Sequence, residues 1–163
     1  MQNIEKRPQV VFLTPTWENH YAIFHYMKIK EVNMYDKKTN GFQFDYVMDQ
    51  LKNNIEERST LLLQACANNP TGIDPTQKEW EAISRVCKDK KIFPLIDSAY
   101  MGLISGDAAK DGFAIRLLAE DGHEFGYTQS YSKNMAMYGE RIGIAHYVCK
   151  TKEKAQEIKN YFA

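Results

Sequence analysis

An excess of charge of either sign is missing from this 163-residue sequence: 21 Lys and Arg balance 21 Asp and Glu, a formal net charge of zero with histidine neutral. Without a basic surplus, attraction to nucleic acid or an anionic membrane is not the organising force, and neither is expected as a partner. Cysteine is scarce. Cys66, Cys87 and Cys149 are far apart and odd in number, so neither a disulfide framework nor a zinc knuckle is expected, and no metal site. Unpaired thiols fit a reducing, cytoplasmic setting. No apolar run approaches the roughly 18 residues of a membrane span, and the polar, charged start Met1–Pro8 argues against a secretory signal. Asn69-Pro70-Thr71 is not a glycosylation acceptor, because proline occupies the middle position. Proline (5) and glycine (9) gather into no linker, and there is no internal repeat or low-complexity tract, so one domain over residues 1–163 is the default.

What is present is a chain able to bury a core, with 44% apolar, 26% charged and 12% aromatic residues. Short apolar runs bounded by polar turns alternate with stretches of helical period, the rhythm of an α/β sheet with helices on its faces. Strands are expected at Val10–Leu13, Val32–Tyr35, Thr60–Ala65, Ile92–Asp97, Phe125–Ser130 and Ile142–Val148. Helices are expected over Asn19–Met27 and from a cap at Asp45 to Leu51, with Val47, Met48 and Leu51 inward. Thr76 and Glu79 form a capping box before a stripe of Trp80, Ile83 and Cys87. Asp111 is expected to open a helix carrying Phe113, Ile115, Leu117 and Leu118, which Gly122 ends, and Thr151–Phe162 forms the last helix.

Ligands of open α/β sheets gather outside the carboxyl ends of the strands. There lie Pro15-Thr16-Trp17-Glu18-Asn19-His20, Asn68-Asn69-Pro70-Thr71-Gly72, Asp97-Ser98-Ala99-Tyr100 and Ser130-Tyr131-Ser132-Lys133, with Tyr138-Gly139-Glu140-Arg141 close behind. Taken singly, each has a structural reading: a solvated lysine, a capping aspartate, an Asn-Pro turn, a core tryptophan. Together they are an inventory for holding a flat, phosphorylated, lysine-linked cofactor.

Four ordered motifs, PTWENH at 15–20, ACANNPTG at 65–72, DSAYMG at 97–102 and QSYSKNMAMYGERIG at 129–143, resemble the middle of the large domain of the fold-type I, pyridoxal-phosphate-dependent aminotransferases, most closely the aspartate aminotransferases. The resemblance runs from about Val10 to Ala163. It implies a three-layer α/β/α domain around a mixed, mostly parallel sheet. In that sheet the second strand of the chain lies at one edge, then the first, then the other four in sequence, the last antiparallel.

The resemblance also implies roles. Lys133 would form the aldimine with pyridoxal 5'-phosphate and shuttle a proton at the substrate Cα, which only a deprotonated primary amine can do. Asp97 would pair with the ring nitrogen, Tyr100 and Asn69 would bond the ring's phenolic oxygen, and Trp17 would stack on its face. Ser130 and Arg141 would hold the phosphate, with the arginine's planar fork suited to a dianion. His20 would support Asp97 from behind, and Gln64 and Asn68 stand where the family commonly has histidines, behind or beside that aspartate. Neither Cys66 nor His25, His123 and His146 is given a site role.

The expected reaction is exchange of an amino group between L-aspartate or L-glutamate and a 2-oxo acid, small molecules both. The alternatives are an aromatic amino acid aminotransferase or a non-catalytic fragment of the same fold. Family members are more than twice as long. The N-terminal arm, the family's first strand with its Gly-rich turn, and the small-domain arginine for the substrate carboxylate have no counterpart in these residues. The expectation is therefore a truncated large domain, inactive alone because no residue replaces that carboxylate contact. Its open edge at Ile142–Val148 would favour a homodimer or other self-association.

Overall fold

The computed structural model describes residues 8–162, so all of the polar start Met1–Pro8 except Pro8 lies outside the described residues. The first strand, β1 (Gln9–Thr14), is apolar at successive rather than alternate positions because both of its faces are covered. Val11 and Leu13 enter the main core, while Val10 and Phe12 enter a smaller cluster on the opposite face with Tyr21 and Phe24.

Helix α1 (Asn19–Ile23) is shorter than expected, and the chain turns into β2 (Lys28–Asn33), which pairs with β1 in parallel from Gln9↔Lys28 to Thr14↔Asn33. The expected strand Val32–Tyr35 is thus displaced towards the N-terminus. As an edge strand, β2 leaves Lys28, Lys30 and Glu31 partly or fully exposed, so it carries charge where the apolar-run criterion finds nothing. Tyr35 belongs instead to a small hairpin of β3 (Tyr35–Asp36) and β4 (Gly41–Phe42), its turn held by Lys38 N–H and Thr39 Oγ1 donating to Asp36 at 2.8 and 2.9 Å.

Helix α2 (Phe44–Asn53) starts before Asp45, which stands in its first turn rather than capping it, while Val47, Met48 and Leu51 are buried as expected. After β5 (Thr60–Gln64) comes α3 (Gln77–Asp89), with both halves of the Thr76–Glu79 capping box formed, at 2.6 and 3.4 Å. Strand β6 (Phe93–Ser98) leads to a short α4 (Ala108–Asp111) and to α5 (Phe113–Glu120). Asp111 does not open the second of these helices. It ends the first, which Asp107 caps, and its carboxylate accepts from the N–H groups of Gly102, Ile104 and Ser105 and the Ser105 hydroxyl at 2.7–3.2 Å. Gly122 (φ 71°) follows the end of α5 as expected, in the left-handed region that costs glycine least. The chain finishes with β7 (Phe125–Ser130), β8 (Gly143–Val148) and α6 (Lys152–Phe162).

The six-stranded sheet runs β2-β1-β5-β6-β7-β8, parallel except for the antiparallel β7–β8 pair, the order and sense the resemblance implies. The main core lies between one face and α2, α3 and α5; α1 lies over the opposite face. Alternation along β8 turns Tyr147, which stacks on Phe162 of α6, away from Val148 and the main core. The result is helices on both sides of a mixed, mostly parallel sheet. No described helix is long and apolar enough to cross a membrane.

Candidate active site

The carboxyl ends of β1, β5, β6 and β7 open onto one rim, where a cleft of about 120 Å³ is lined by Trp17, Gln64, Asn69, Asp97, Ala99, Tyr100, Ser130, Ser132, Lys133, Tyr138 and Arg141. Every residue expected to touch the cofactor is in this lining. Parallel pairing explains the convergence: Gln64 lies opposite Asp97, and Asp97 opposite Thr128, so the loops leaving neighbouring strands start side by side.

Asp97 is anchored from behind. His20 is buried and its Nε2 lies 3.1 Å from Asp97 Oδ2, while its Nδ1 lies 2.8 Å from Thr16 Oγ1. Gln64 extends the arrangement through Nε2, 3.3 Å from Thr16 Oγ1, and grips the next loop by bonding both backbone groups of Asn69, at 2.8 and 3.2 Å. Gln64 thus reaches Asp97 only through Thr16 and His20. Asn68 is buried, and its Oδ1 accepts from the Thr71 hydroxyl at 2.7 Å, so it shapes the turn. The loop is pinned once more by Asp74, which accepts from Ala67 N–H at 2.6 Å and Asn68 N–H at 3.0 Å. Burial raises the Asp74 carboxyl above its usual range and the charge of Asp111 adds to this, against the lowering effect of the two N–H bonds.

Trp17 is 37% exposed and meets His20 edge-on with ring centroids 5.4 Å apart, which removes the core-tryptophan reading. Lys133 Nζ lies 5.6 Å from the Tyr100 ring centroid and 5.4 Å from that of Tyr138. The Ser130 hydroxyl oxygen accepts from Ser132 N–H at 3.2 Å, leaving its own hydrogen available for an acceptor. Arg141 Nη1 donates to Tyr138 O at 3.3 Å, and its guanidinium lies 5.7 Å from the Tyr138 ring centroid. Gly143 lets the return strand come this close, since a Cβ there would stand 2.7 Å from Gln129 O. Burial, with the charges of Asp111 and Asp74, pushes the Cys66 thiol up to about 12, so it is no nucleophile. Among the described residues no group of His, Cys, Asp and Glu is arranged to hold a metal ion.

Thr16, Ser132 and Tyr138 were given no role by sequence reasoning. All three lie within the motifs quoted above, but hydroxyl and phenol groups are common and only proximity marks them out.

The chain belongs to the family of class I and II aminotransferases, whose model matches residues 2–163. It is 43% identical over 154 residues to the mitochondrial aspartate aminotransferase of Arabidopsis thaliana, covering 93% of this chain and 36% of that protein. Among solved structures, the broad specificity aminotransferase of Leishmania mexicana superposes with a TM-score of 0.91 at 36% identity, over 94% of this chain and 38% of the other. An aromatic-amino-acid aminotransferase from Burkholderia pseudomallei, covalently bound to pyridoxal phosphate, superposes at 0.89 and 32% identity, over 93% and 38%. The chain therefore spans well under half the length of the relatives it matches.

Proposed function

We propose that residues 1–163 are the central part of the cofactor-binding large domain of an aminotransferase that moves an amino group between L-aspartate or L-glutamate and a 2-oxo acid, using pyridoxal 5'-phosphate. The supporting observation is the meeting of Lys133, Asp97, Tyr100, Asn69, Trp17, Ser130 and Arg141 in one cleft. The donor set suits that cofactor at each of its ends: an amine for the aldehyde, a carboxylate for the ring nitrogen, an indole for the ring face, and a hydroxyl with a guanidinium for the phosphate. When bound, the cofactor supplies a reactive aldehyde and a ring that accepts electron density.

The residues have separable tasks. Asp97, held at Oδ2 by His20, presents a fixed carboxylate to the ring nitrogen. Tyr100 and Asn69 would donate to the cofactor's phenolic oxygen, Arg141 and Ser130 would hold its phosphate, and Trp17 would pack on its ring. Lys133 Nζ, which lies 5.6 and 5.4 Å from the ring centroids of Tyr100 and Tyr138, would be the base that takes a proton from the substrate Cα and the acid that returns one. The aspartate reading is preferred to the aromatic one because the curated relatives at 39–43% identity are aspartate aminotransferases; solved enzymes of the two kinds overlap, at 30–38% and 32–35%. The non-catalytic alternative applies to these residues in isolation. Three free thiols, two of them buried, suit a reducing compartment such as the cytoplasm. The open face of β8 suits self-association, as a homodimer of this chain.

Titration of the purified chain with pyridoxal phosphate tests the proposal. Wild type should develop the visible absorbance of a lysine-linked cofactor, and borohydride should fix one cofactor mass on the peptide carrying Lys133. Lys133→Ala should lose both signals. Absence of any lysine-dependent band at cofactor excess would overturn the binding claim.

A further inference from the structure

The orientation of the Gln64 amide is dictated by two backbone groups. Asn69 N–H can only donate, so the side-chain atom 2.8 Å from it is the carbonyl Oε1. Asn69 C=O can only accept, so the atom 3.2 Å from it is the amide Nε2. The other Nε2 hydrogen goes to Thr16 Oγ1 at 3.3 Å. Thr16 receives one hydrogen there and has one of its own to give, and among the hydrogen bonds of the described residues the acceptor facing that hydroxyl is His20 Nδ1 at 2.8 Å. An imidazole nitrogen that accepts carries no hydrogen. The ring hydrogen is then on Nε2, where it is donated to Asp97 Oδ2 at 3.1 Å. The ring is buried, with Phe12 and Trp17 packed around it at centroid separations of 6.1 and 5.4 Å, and Asp97 is the ionisable group it bonds.

We infer that Gln64 is a positioning residue that sets the direction of the Gln64–Thr16–His20–Asp97 chain and holds His20 as the neutral Nε2–H tautomer. A neutral donor leaves the His20–Asp97 pair with a full negative charge, whereas an imidazolium would balance it. The consequence for function rests on the proposed role of Asp97: a carboxylate whose charge is uncompensated from behind attracts a protonated ring nitrogen in front. A glutamine amide cannot ionise, so the direction set by Gln64 does not change with proton supply.

Two-bond proton–nitrogen NMR of the imidazoles in the full chain, without cofactor and at neutral pH, reads the tautomer directly. His20 should show a bare Nδ1 and a protonated Nε2. Gln64→Glu keeps an acceptor for Asn69 N–H but replaces the donor with a second acceptor, so the Thr16 hydroxyl turns towards it and accepts from His20 instead. Both ring nitrogens should then appear protonated, with the Asn69 amide resonance in place as a check on the loop. Thr16→Val should move Nδ1 from its hydrogen-bonded position without protonating it, a test that stands if the glutamate variant does not fold. A protonated Nδ1 in wild type, or an unchanged pattern in a folded Gln64→Glu chain, would overturn the inference. Because no cofactor is present, these outcomes are independent of whether Lys133 captures pyridoxal phosphate.

Discussion

Arg141 adopts φ 52°, a left-handed conformation that costs a residue with a Cβ about 1 kcal/mol relative to glycine. It is also largely exposed, so packing does not explain why an arginine stands there. If its task is to grip phosphate, the two contributions separate on substitution. Arg141→Gly and Arg141→Ala both lose the guanidinium, and both should weaken pyridoxal phosphate binding by about ten- to a hundredfold, as expected for a charged hydrogen bond. In urea unfolding, the glycine variant should be more stable than the alanine variant by about 1 kcal/mol. Equal stabilities would show that the backbone here is relaxed, and unchanged cofactor affinity would remove Arg141 from the site. Residues of this kind were legible in the sequence because rare types stand in fixed order: a lysine three after a serine, a tyrosine three after an aspartate. Thr16 was not legible, since its significance lies in a 2.8 Å contact with His20 that no spacing rule singles out.

Elements covered on both faces were read well, and those at edges poorly. Strand β1 is buried almost throughout, so its apolar run is continuous; β2 has one open side, its charges are tolerated, and its first four residues, 28–31, fell in neither the expected helix nor the expected strand. Asp111 shows the same difficulty for polar residues, because an aspartate before a helical stripe reads as a cap until the loop it binds is seen. Burial pushes the Asp111 carboxyl up, but the Ser105 hydroxyl and the N–H groups of Ile104, Gly102 and Ser105 outweigh it and hold it below the usual 3.8. Its folded value is thus below its unfolded one. The stability it contributes is complete above the ordinary carboxylate range and is lost as pH falls through the lowered value. Asp111→Ala removes the acceptor of four hydrogen bonds in a partly exposed loop, where water satisfies the freed donors, and should cost about 1–2 kcal/mol at neutral pH. The gap between the urea midpoints of wild type and variant should begin to narrow near pH 3.8 and go on narrowing as pH falls through the lowered value; a gap that persists undiminished in acid would show that the carboxylate's charge is not what holds the 102–105 loop.

At the scale of the whole molecule, the strand order followed from resemblance and the site from the rim that this order creates. The energetic consequence of the last strand is a separate matter. Strand β8 pairs with β7 on one side, and among the described residues no strand pairs on the other. Its sequence, Gly-Ile-Ala-His-Tyr-Val, contains no carboxylate, lysine or arginine, and Ile144 and Tyr147 are 40% and 44% exposed. Edges of native sheets are commonly protected by charge, proline or a covering segment. A chain with zero formal net charge also has little long-range repulsion to keep copies apart. Antiparallel pairing of β8 with β8 across a two-fold axis satisfies both sets of open backbone groups at once, because the same surface serves each copy. Sedimentation velocity of the 163-residue chain should therefore show concentration-dependent association at micromolar levels, weakly sensitive to salt because the contact is apolar. Ile144→Lys puts a like charge on both sides of that contact, in a strand free of carboxylate, lysine and arginine, and should shift the boundary to the monomer. If the lysine variant sediments as wild type does, the association runs through another surface and β8 is not its seam.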